Sequence, residues 1–200
     1  MLMFVIDLEF GSLSTQNENS IQFHDNIQVN PELRAVVKQI SQCQPQGHLE
    51  ITDITKIPHQ DERITFFKNT FGQNYRGLFH GTNSESIKNI IHSGFKTPDK
   101  AKMLGKGIYF ASDLVKCTSY CQGSRTILYC WVHEGKRLEV IKPDHTLDIK
   151  KMKLLNYDSV YARAGSFKTG KVNYLSFDEI VIYDPIQVVP IFKIEFRYWL

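Results

Sequence analysis

The sequence lacks the features that mark secreted and membrane proteins. No apolar run approaches the roughly 20 residues that a transmembrane helix needs. The opening MLMFVIDLEF carries Asp7 and Glu9, has no basic region, and is followed by no small-residue cleavage pattern, so it does not read as a secretory signal. Four cysteines among 200 residues are too few to predict a disulfide framework. We therefore expect an intracellular protein, in the cytoplasm or the nucleus, with no membrane partner.

The chain also lacks a basic stripe with interleaved aromatic residues, so no DNA-binding module is visible. Its net charge of +3 is unevenly distributed. Residues 1–60 hold three Lys and Arg against seven Asp and Glu, and residues 61–200 hold 21 against 14. This basic excess is suited to an anionic ligand, although a solvated surface explains any single lysine equally well.

The apolar content, 42% of the residues, is enough for a substantial core and favours one main domain. A first helix is predicted over residues 31–41. Asn30 is a suitable N-cap, Pro31 occupies the first helical position, and four apolar residues fall on one face. Alternation over residues 49–57 then predicts a strand, followed by a short helix.

The stretch LFHGTNSESIKNIIHSGF, residues 78–95, predicts a strand followed by a helix. Thr82 and Glu85 have capping-box spacing, and Gly94 supplies a C-terminal stop, so the helix is expected over residues 83–93. His80 then lies at a strand-to-helix junction, where side chains and free backbone N–H groups commonly face a ligand.

The segment GKGIYFASD, residues 105–113, is not a phosphate-binding loop, because it lacks both the GxxxxGK[ST] and the GxGxxG spacing. A lysine-rich loop precedes it. Ser112 is the predicted N-cap of a helix over roughly residues 113–121, on which Cys117 and Tyr120 share a face.

The last third carries the clearest strand signals, YLSFDEIVIYD and QVVPIFKIEFRYW, separated by an Asp184-Pro185 turn. In the first of these strands Glu179 shares a face with Val181 and Tyr183. Burying an unpaired carboxylate costs several kcal/mol or shifts its pKa, so Glu179 is the acidic residue most indicative of function.

Four pieces in this order, LFHGT with its helix, GKGIYFASD, SYC and FDEIVIYDPIQVVP, resemble the catalytic domain of poly(ADP-ribose) polymerases. The resemblance covers about residues 50–200, and the same His-Tyr-Glu signature resembles diphtheria-type toxins. It implies the α+β ADP-ribosyltransferase fold, with two packed, mainly antiparallel β-sheets and flanking helices. Residues 50–200 are expected to be the catalytic domain, and residues 1–49 a segment of unassigned role.

The resemblance also implies the site. His80 would hydrogen-bond the adenine-side ribose of NAD+, and the backbone of Gly81 would bind the nicotinamide carboxamide. Tyr109 and Tyr120 would enclose the nicotinamide ring, which is cationic until its glycosidic bond breaks. Glu179 would hydrogen-bond the nicotinamide-side ribose and stabilise the oxocarbenium-like transition state.

The reaction implied releases nicotinamide and transfers ADP-ribose to a protein, with a nucleic acid or the chain itself as further candidate acceptors. NAD+ is then a consumed substrate, and no cofactor or metal is required. The lysines of residues 96–106, Lys106 included, are expected near the pyrophosphate, with a solvated position as the alternative for Lys106. Cys117 stands where the family usually has a serine that binds the carboxamide, and a thiol is the weaker donor.

Other interpretations of the sequence stay open. Cys117, Cys121, Cys130 and His133 could ligate zinc, but their spacing matches no standard finger.

Single transfer and polymer formation are both compatible with Glu179. An RNA 2'-phosphotransferase shares the HGT-like start, although its arginine-rich signature is missing. A catalytically inactive module that binds NAD+ or ADP-ribose is the rival from another class. About 60 residues precede the part of the chain where the resemblance strengthens, too few for the autoinhibitory helical domain of DNA-damage-responsive members, so we expect no gating by DNA breaks.

Overall fold

The computed structural model describes residues 31–43, 49–169, 172–173 and 175–198. The polar lead-in predicted over residues 14–26 and the N-cap Asn30 lie outside these residues. The first four described α-helices follow the predicted order along the chain, and the fifth was not predicted. The described helices are α1 Pro31–Gln42, α2 Asp61–Phe71, α3 Ser84–Ser93, α4 Leu114–Thr118 and α5 Ile149–Leu155.

The described strands form two four-stranded sheets and one two-stranded sheet. Sheet A has the order β1-β10-β4-β2, and sheet C has the order β3-β9-β6-β5. Within these two sheets every pairing is antiparallel except the one between β5 and β6. The strands are β1 Leu49–Lys56, β2 Arg76–Gly81, β3 Ile108–Phe110, β4 Thr126–Val132, β5 Arg137–Val140, β6 Ser159–Ala162, β7 Lys168–Thr169, β8 Val172–Asn173, β9 Glu179–Ile182 and β10 Val188–Tyr198.

Three buried clusters arrange these elements in layers. The first cluster joins the outer face of sheet A to α1, α2 and α4. The second lies between the two sheets, where Leu78 and Leu128 of sheet A meet Ile108 and Ile180 of sheet C beside α3. The third packs the far face of sheet C against α5. This architecture confirms the predicted α+β fold with two packed, mainly antiparallel sheets.

The N-caps of two helices differ from the predictions. The N-cap of α3 is Asn83, not Thr82, and its side-chain oxygen accepts a hydrogen bond from the Ser86 N–H at 2.8 Å. The N-cap of α4 is Asp113, not Ser112, and it accepts from the Val115 N–H at 2.7 Å. Each predicted helix start was therefore one residue early.

The predicted end of α4 was also wrong. The helix stops at Thr118, and Tyr120 lies in the turn that follows, its N–H donating to the Cys117 carbonyl at 3.1 Å. Cys117 and Tyr120 therefore do not share a helical face. Cys117 lies on the helix and Tyr120 in the turn, and both line the same cavity.

No helix in the described ranges combines the length and the apolar character that crossing a bilayer would require.

Candidate active site

A cavity of about 400 Å³ opens where sheet A meets sheet C. Its wall consists of the end of β2, the whole of β3, the start of β9, one side of α3, and α4 with its following turn. The loop of residues 94–107 closes the remaining side. Six of the seven sequence-predicted site residues line this cavity, which we call the cleft; they are His80, Gly81, Tyr109, Cys117, Tyr120 and Glu179.

The cleft depends on a bridge between the two sheets. The backbones of Phe79 on β2 and Ala111 after β3 exchange two hydrogen bonds, of 2.8 and 3.0 Å. The residue after Phe79 is His80, and its Nδ1 lies 2.8 Å from the Tyr109 carbonyl oxygen. Two residues about 30 positions apart in the chain are thereby held side by side at one end of the cleft.

The contacts of His80 determine its protonation state. A carbonyl oxygen can only accept, so Nδ1 carries the hydrogen and Nε2 keeps its lone pair. Burial lowers the pKa of His80 to about 4; the hydrogen bond to Tyr109 opposes the shift and the Lys102 charge adds to it. The ring also packs edge-on against Phe95, at 5.1 Å between centroids. His80 is therefore a neutral, oriented acceptor at physiological pH.

Gly81 permits the close approach of α4 to β2. A Cβ at this position would lie 2.0 Å from the Cys117 carbonyl oxygen, so any other residue would push the helix away. Burial raises the pKa of the Cys117 thiol, Cys121 adds to the rise, and a hydrogen bond from the Gly81 backbone opposes it. Cys117 is thus a neutral thiol in contact with the backbone that lines the cleft.

Tyr109 and Tyr120 both present rings to the cleft but differ in their surroundings. Tyr109 is fixed through its hydroxyl, which accepts from the Leu104 N–H at 2.8 Å and donates to the Gly105 carbonyl at 3.3 Å. Burial, together with the Glu179 charge, raises the pKa of Tyr109, so the phenol stays neutral. Tyr120 is 43% exposed and lies at the mouth.

Glu179 begins β9 and is only 4% exposed. Its Oε1 forms a 2.8 Å ion pair with Lys116 Nζ, whereas its Oε2 is buried with no hydrogen-bond partner in the structure. Burial lowers the pKa of Lys116, but the hydrogen bond and charge of Glu179 outweigh burial, and the pKa is raised. The site thus contains a charged pair with one carboxylate oxygen left to receive a donor.

The lysines of the loop before β3 do not all reach the cleft. Lys96 and Lys102 line it, and Lys102 Nζ lies 5.4 Å from the Tyr109 ring centroid and 5.7 Å from that of Tyr120. Lys106 is exposed and outside the lining, with its N–H donating to the Leu147 carbonyl. A role for Lys106 in binding stays a prediction.

The candidate zinc ligands have other partners. His133 Nδ1 lies 2.6 Å from the Asn74 carbonyl oxygen, and its ring stacks on Phe71. The four cysteines are free and buried. Across residues 31–43, 49–169, 172–173 and 175–198, no group of three or more His, Cys, Asp or Glu side chains could hold a metal ion.

Sequence reasoning missed Lys116, the partner of Glu179. The two residues are 63 positions apart, on α4 and β9, and no local pattern relates them. A weak signal was present: Lys116 directly precedes Cys117, which had been assigned to the cleft. Lys102 had been assigned to the pyrophosphate, and its contact with the two tyrosines was not foreseen.

Comparison with known proteins identifies the family. The model of the poly(ADP-ribose) polymerase catalytic domain matches residues 30–196. The chain belongs to this family. The match includes β2, β3 and β9, the strands whose ends form the cleft, and also α1, which lies before the predicted domain start at residue 50. That start stays a prediction.

Curated relatives of this poly(ADP-ribose) polymerase-family chain differ in the activity they are named for. The mouse protein mono-ADP-ribosyltransferase PARP4 is 30% identical over 155 residues, covering 70% of this chain and 8% of that protein. The poly [ADP-ribose] polymerase of Sarcophaga peregrina is 38% identical over 80 residues, 36% of this chain and 8% of that protein. The mouse mono-ADP-ribosyltransferase PARP3 is 30% identical over 122 residues, 57% of this chain and 22% of that protein. The chain therefore spans less than a quarter of the length of these relatives.

Proposed function

We propose that this chain is an ADP-ribosyltransferase that consumes NAD+, releases nicotinamide and transfers ADP-ribose to an acceptor. The observation that supports this most directly is Glu179, a buried carboxylate of the cleft lining with one oxygen paired to Lys116 and the other without a hydrogen-bond partner. A carboxylate in that state can accept a ribose hydroxyl and stabilise positive charge on the adjacent sugar carbon. Membership of the family supports the same reaction.

The donor is proposed to lie along the cleft with its two ends held differently. Nε2 of neutral His80 accepts a hydroxyl of the adenine-side ribose. The backbone of Gly81 and the thiol of Cys117 face the carboxamide, and the rings of Tyr109 and Tyr120 flank the nicotinamide. An aromatic flank suits this ring because it is cationic in NAD+.

In the proposed reaction the bond between the nicotinamide nitrogen and C1' of the ribose breaks, and its electron pair leaves with nicotinamide. The positive charge left on the ribose is stabilised by Glu179, which is held in place by Lys116. An acceptor oxygen or nitrogen then bonds to C1' and loses its proton to solvent or a nearby base. The partly enclosed cleft strengthens these charge interactions by excluding water.

The acceptor is proposed to be a protein, with the chain itself as one candidate. Single transfer and polymer formation both remain compatible with the site, since Glu179 can orient an acceptor hydroxyl as well as the donor.

We assign catalysis to residues 50–200. Helix α1 packs on sheet A away from the cleft, where Gln39 donates to the Gly77 and Ser112 carbonyls, which supports a structural role for it. We propose that the protein acts in the cytoplasm or the nucleus, and its four free thiols are consistent with such a reducing compartment.

The test is incubation of purified protein with adenylate-labelled NAD+, followed by a denaturing gel and a nicotinamide-release assay. Wild type is expected to release nicotinamide and to acquire label, as a discrete band for single transfer or as a smear for polymer. Glu179→Gln keeps the shape but removes the charge, so turnover is expected to fall by about 100-fold or more.

Glu139→Gln is the matched control, because Glu139 is exposed on β5 of the same sheet as Glu179. It should retain wild-type turnover. Binding of NAD+ by wild type without release of nicotinamide would replace the proposal with the inactive binding module.

A further inference from the structure

One contact in the cleft is not used by the proposed reaction. The ammonium of Lys102 lies over the rings of both Tyr109 and Tyr120, at 5.4 and 5.7 Å from their centroids. Both distances are within the range over which a cation is attracted to an aromatic face. The Lys116 ammonium also lies 5.4 Å from the Tyr120 centroid, but it is paired with Glu179. Two rings that the proposed function assigns to a cationic ligand are thus in contact with a cation belonging to the protein.

The backbone of Lys102 is held firmly, which limits the motion to its side chain. Its N–H donates to the Gly105 carbonyl, and its carbonyl accepts from the Gly105 N–H, both at 3.0 Å. The same carbonyl lies 2.9 Å from Nδ1 of His145. The Cα of Lys102 is therefore fixed relative to the two rings, and rotation about the side-chain bonds is enough to move the ammonium away from them.

The surrounding charges do not hold this ammonium elsewhere. The acidic side chain in the cleft lining is Glu179, and its Oε1 is already paired with Lys116 at 2.8 Å. Among the described residues, no ion pair joins Lys102 to a carboxylate. The two tyrosine faces are thus the principal attraction for the Lys102 charge within the cleft.

We infer that Lys102 is an internal competitor for the nicotinamide subsite, whose ammonium occupies the cation position over Tyr109 and Tyr120 and must leave before the nicotinamide ring enters. The inference rests on the proposed function, since that function supplies the ring. Binding of a cationic ring is opposed in two ways, because the ammonium occupies the aromatic faces and because it repels a like charge. Binding of a neutral ring is opposed only by the occupied faces. The protein therefore disfavours the charged nicotinamide of intact NAD+ more than the neutral nicotinamide released by the reaction.

The experiment uses three small probes that separate charge from shape. Nicotinamide is the neutral ring, 1-methylnicotinamide is the same ring carrying a positive charge, and ADP-ribose is the phosphate-bearing remainder. Their dissociation constants are measured by calorimetric titration for wild type and for Lys102→Ala, Lys102→Arg and Lys88→Ala. Lys88 is exposed on α3 and outside the cleft lining, so its variant loses the same charge elsewhere.

For Lys102→Ala we expect both ring probes to bind more tightly, nicotinamide by roughly 3-fold and 1-methylnicotinamide by roughly 10-fold or more. Lys102→Arg, which keeps a cation on a long side chain, should resemble wild type, as should Lys88→Ala. ADP-ribose should bind Lys102→Ala no more tightly than wild type.

Unchanged or weaker binding of both ring probes to Lys102→Ala would overturn the inference. So would weaker ADP-ribose binding without any gain for the rings, because Lys102 would then be a pyrophosphate ligand only. Wild type that binds none of the three probes would instead reject the proposed function, whatever the variants do.

Discussion

At the scale of single residues, the charged pair of Lys116 and Glu179 is the least ordinary feature. Removing two charges from water costs several kcal/mol for each ion, and a single ion pair compensates only when its geometry is good. Here the 2.8 Å contact satisfies one oxygen of Glu179 and leaves Oε2 buried without a partner. Such an arrangement is poorly explained by stability, and it supports a role in binding or catalysis.

Replacing Cys117 by serine is expected to improve donor binding. The buried thiol is neutral and is a weak hydrogen-bond donor, and a hydroxyl in its position would bind the carboxamide better. We expect the KM for NAD+ to fall by about 2- to 5-fold with little change in kcat. Steady-state nicotinamide release measures both constants.

Cys43→Ser is the control for this substitution, since the Cys43 sulfur already lies within hydrogen-bonding reach of Leu114 and Gln39 and does not line the cleft. It should leave KM unchanged. An unaltered KM in Cys117→Ser as well would show that the thiol does not contact the donor.

His80 is expected to make stability depend on pH. Its pKa is about 4 in the folded protein and about 6.5 when unfolded, so the unfolded chain binds more protons between these values. The contribution to the free energy of unfolding is therefore complete above pH 6.5 and is lost as the pH falls toward 4, by about 3 kcal/mol at most. Urea unfolding at several pH values measures it.

His80→Gln is the comparison, because its amide can still donate to the Tyr109 carbonyl but does not titrate. The difference in unfolding free energy between wild type and this variant should shrink as the pH falls from 6.5 to 4. A difference that is constant over this range would contradict the assignment of His80 as a partly buried, neutral base.

At the scale of elements, the cleft depends on where strands end and helices begin. Helix α3 starts at Ser84, three residues after the last residue of β2, and β2 is bridged to Ala111 through Phe79, so the first turn of the helix faces the cavity. Both Thr82 and Asn83 are suitable N-caps, and a capping-box spacing favours the first. The structure uses Asn83 because β2 continues through Gly81, which leaves Thr82 in the connection.

The N-cap bond of α3 is expected to contribute measurably to stability. Asn83→Ala removes the acceptor for the Ser86 N–H and should lower the free energy of unfolding by about 1 kcal/mol. Asn83→Asp keeps the acceptor and should cost much less. Thermal and urea denaturation measure both variants, and equal stability of Asn83→Ala and wild type would show that solvent replaces the cap without cost.

At the scale of the whole molecule, the two sheets share one buried cluster and are expected to unfold together. Leu78, Leu128 and Cys130 of sheet A pack in that cluster with Ile180 and Ile182 of sheet C. All five are fully buried. Neither sheet can be exposed without opening this apolar interface, which also forms the base of the cleft.

Leu128→Ala is expected to destabilise the molecule as one unit. Leu128 is fully buried, and truncating such a side chain typically costs about 2–5 kcal/mol, including the cavity left behind. Far-UV circular dichroism and tryptophan fluorescence should shift together in urea. Leu154→Ala, at a side chain 87% exposed on α5, should stay within about 0.5 kcal/mol of wild type. Separate transitions for the two probes would show that the sheets unfold independently.

The sequence by itself determined the elements and most of the candidate site. Apolar periodicity predicted α1 and the strand β1, because periods of 3.6 and 2 are local properties of the chain. Glu179 stood out on the same ground, as a carboxylate on an apolar strand face. Ordered motifs added the family and the positions of His80 and Tyr109.

Only the tertiary structure decided which side chains meet. The pairing of Lys116 with Glu179 and the position of Lys102 over Tyr109 and Tyr120 join elements that are far apart in sequence or separated by a loop. Helix starts were also decided this way, since several adjacent residues could serve as caps and the end of the preceding strand selected one. Local patterns carry no information on such contacts, because ion pairs and cation contacts depend on distances that only the packed sheets define.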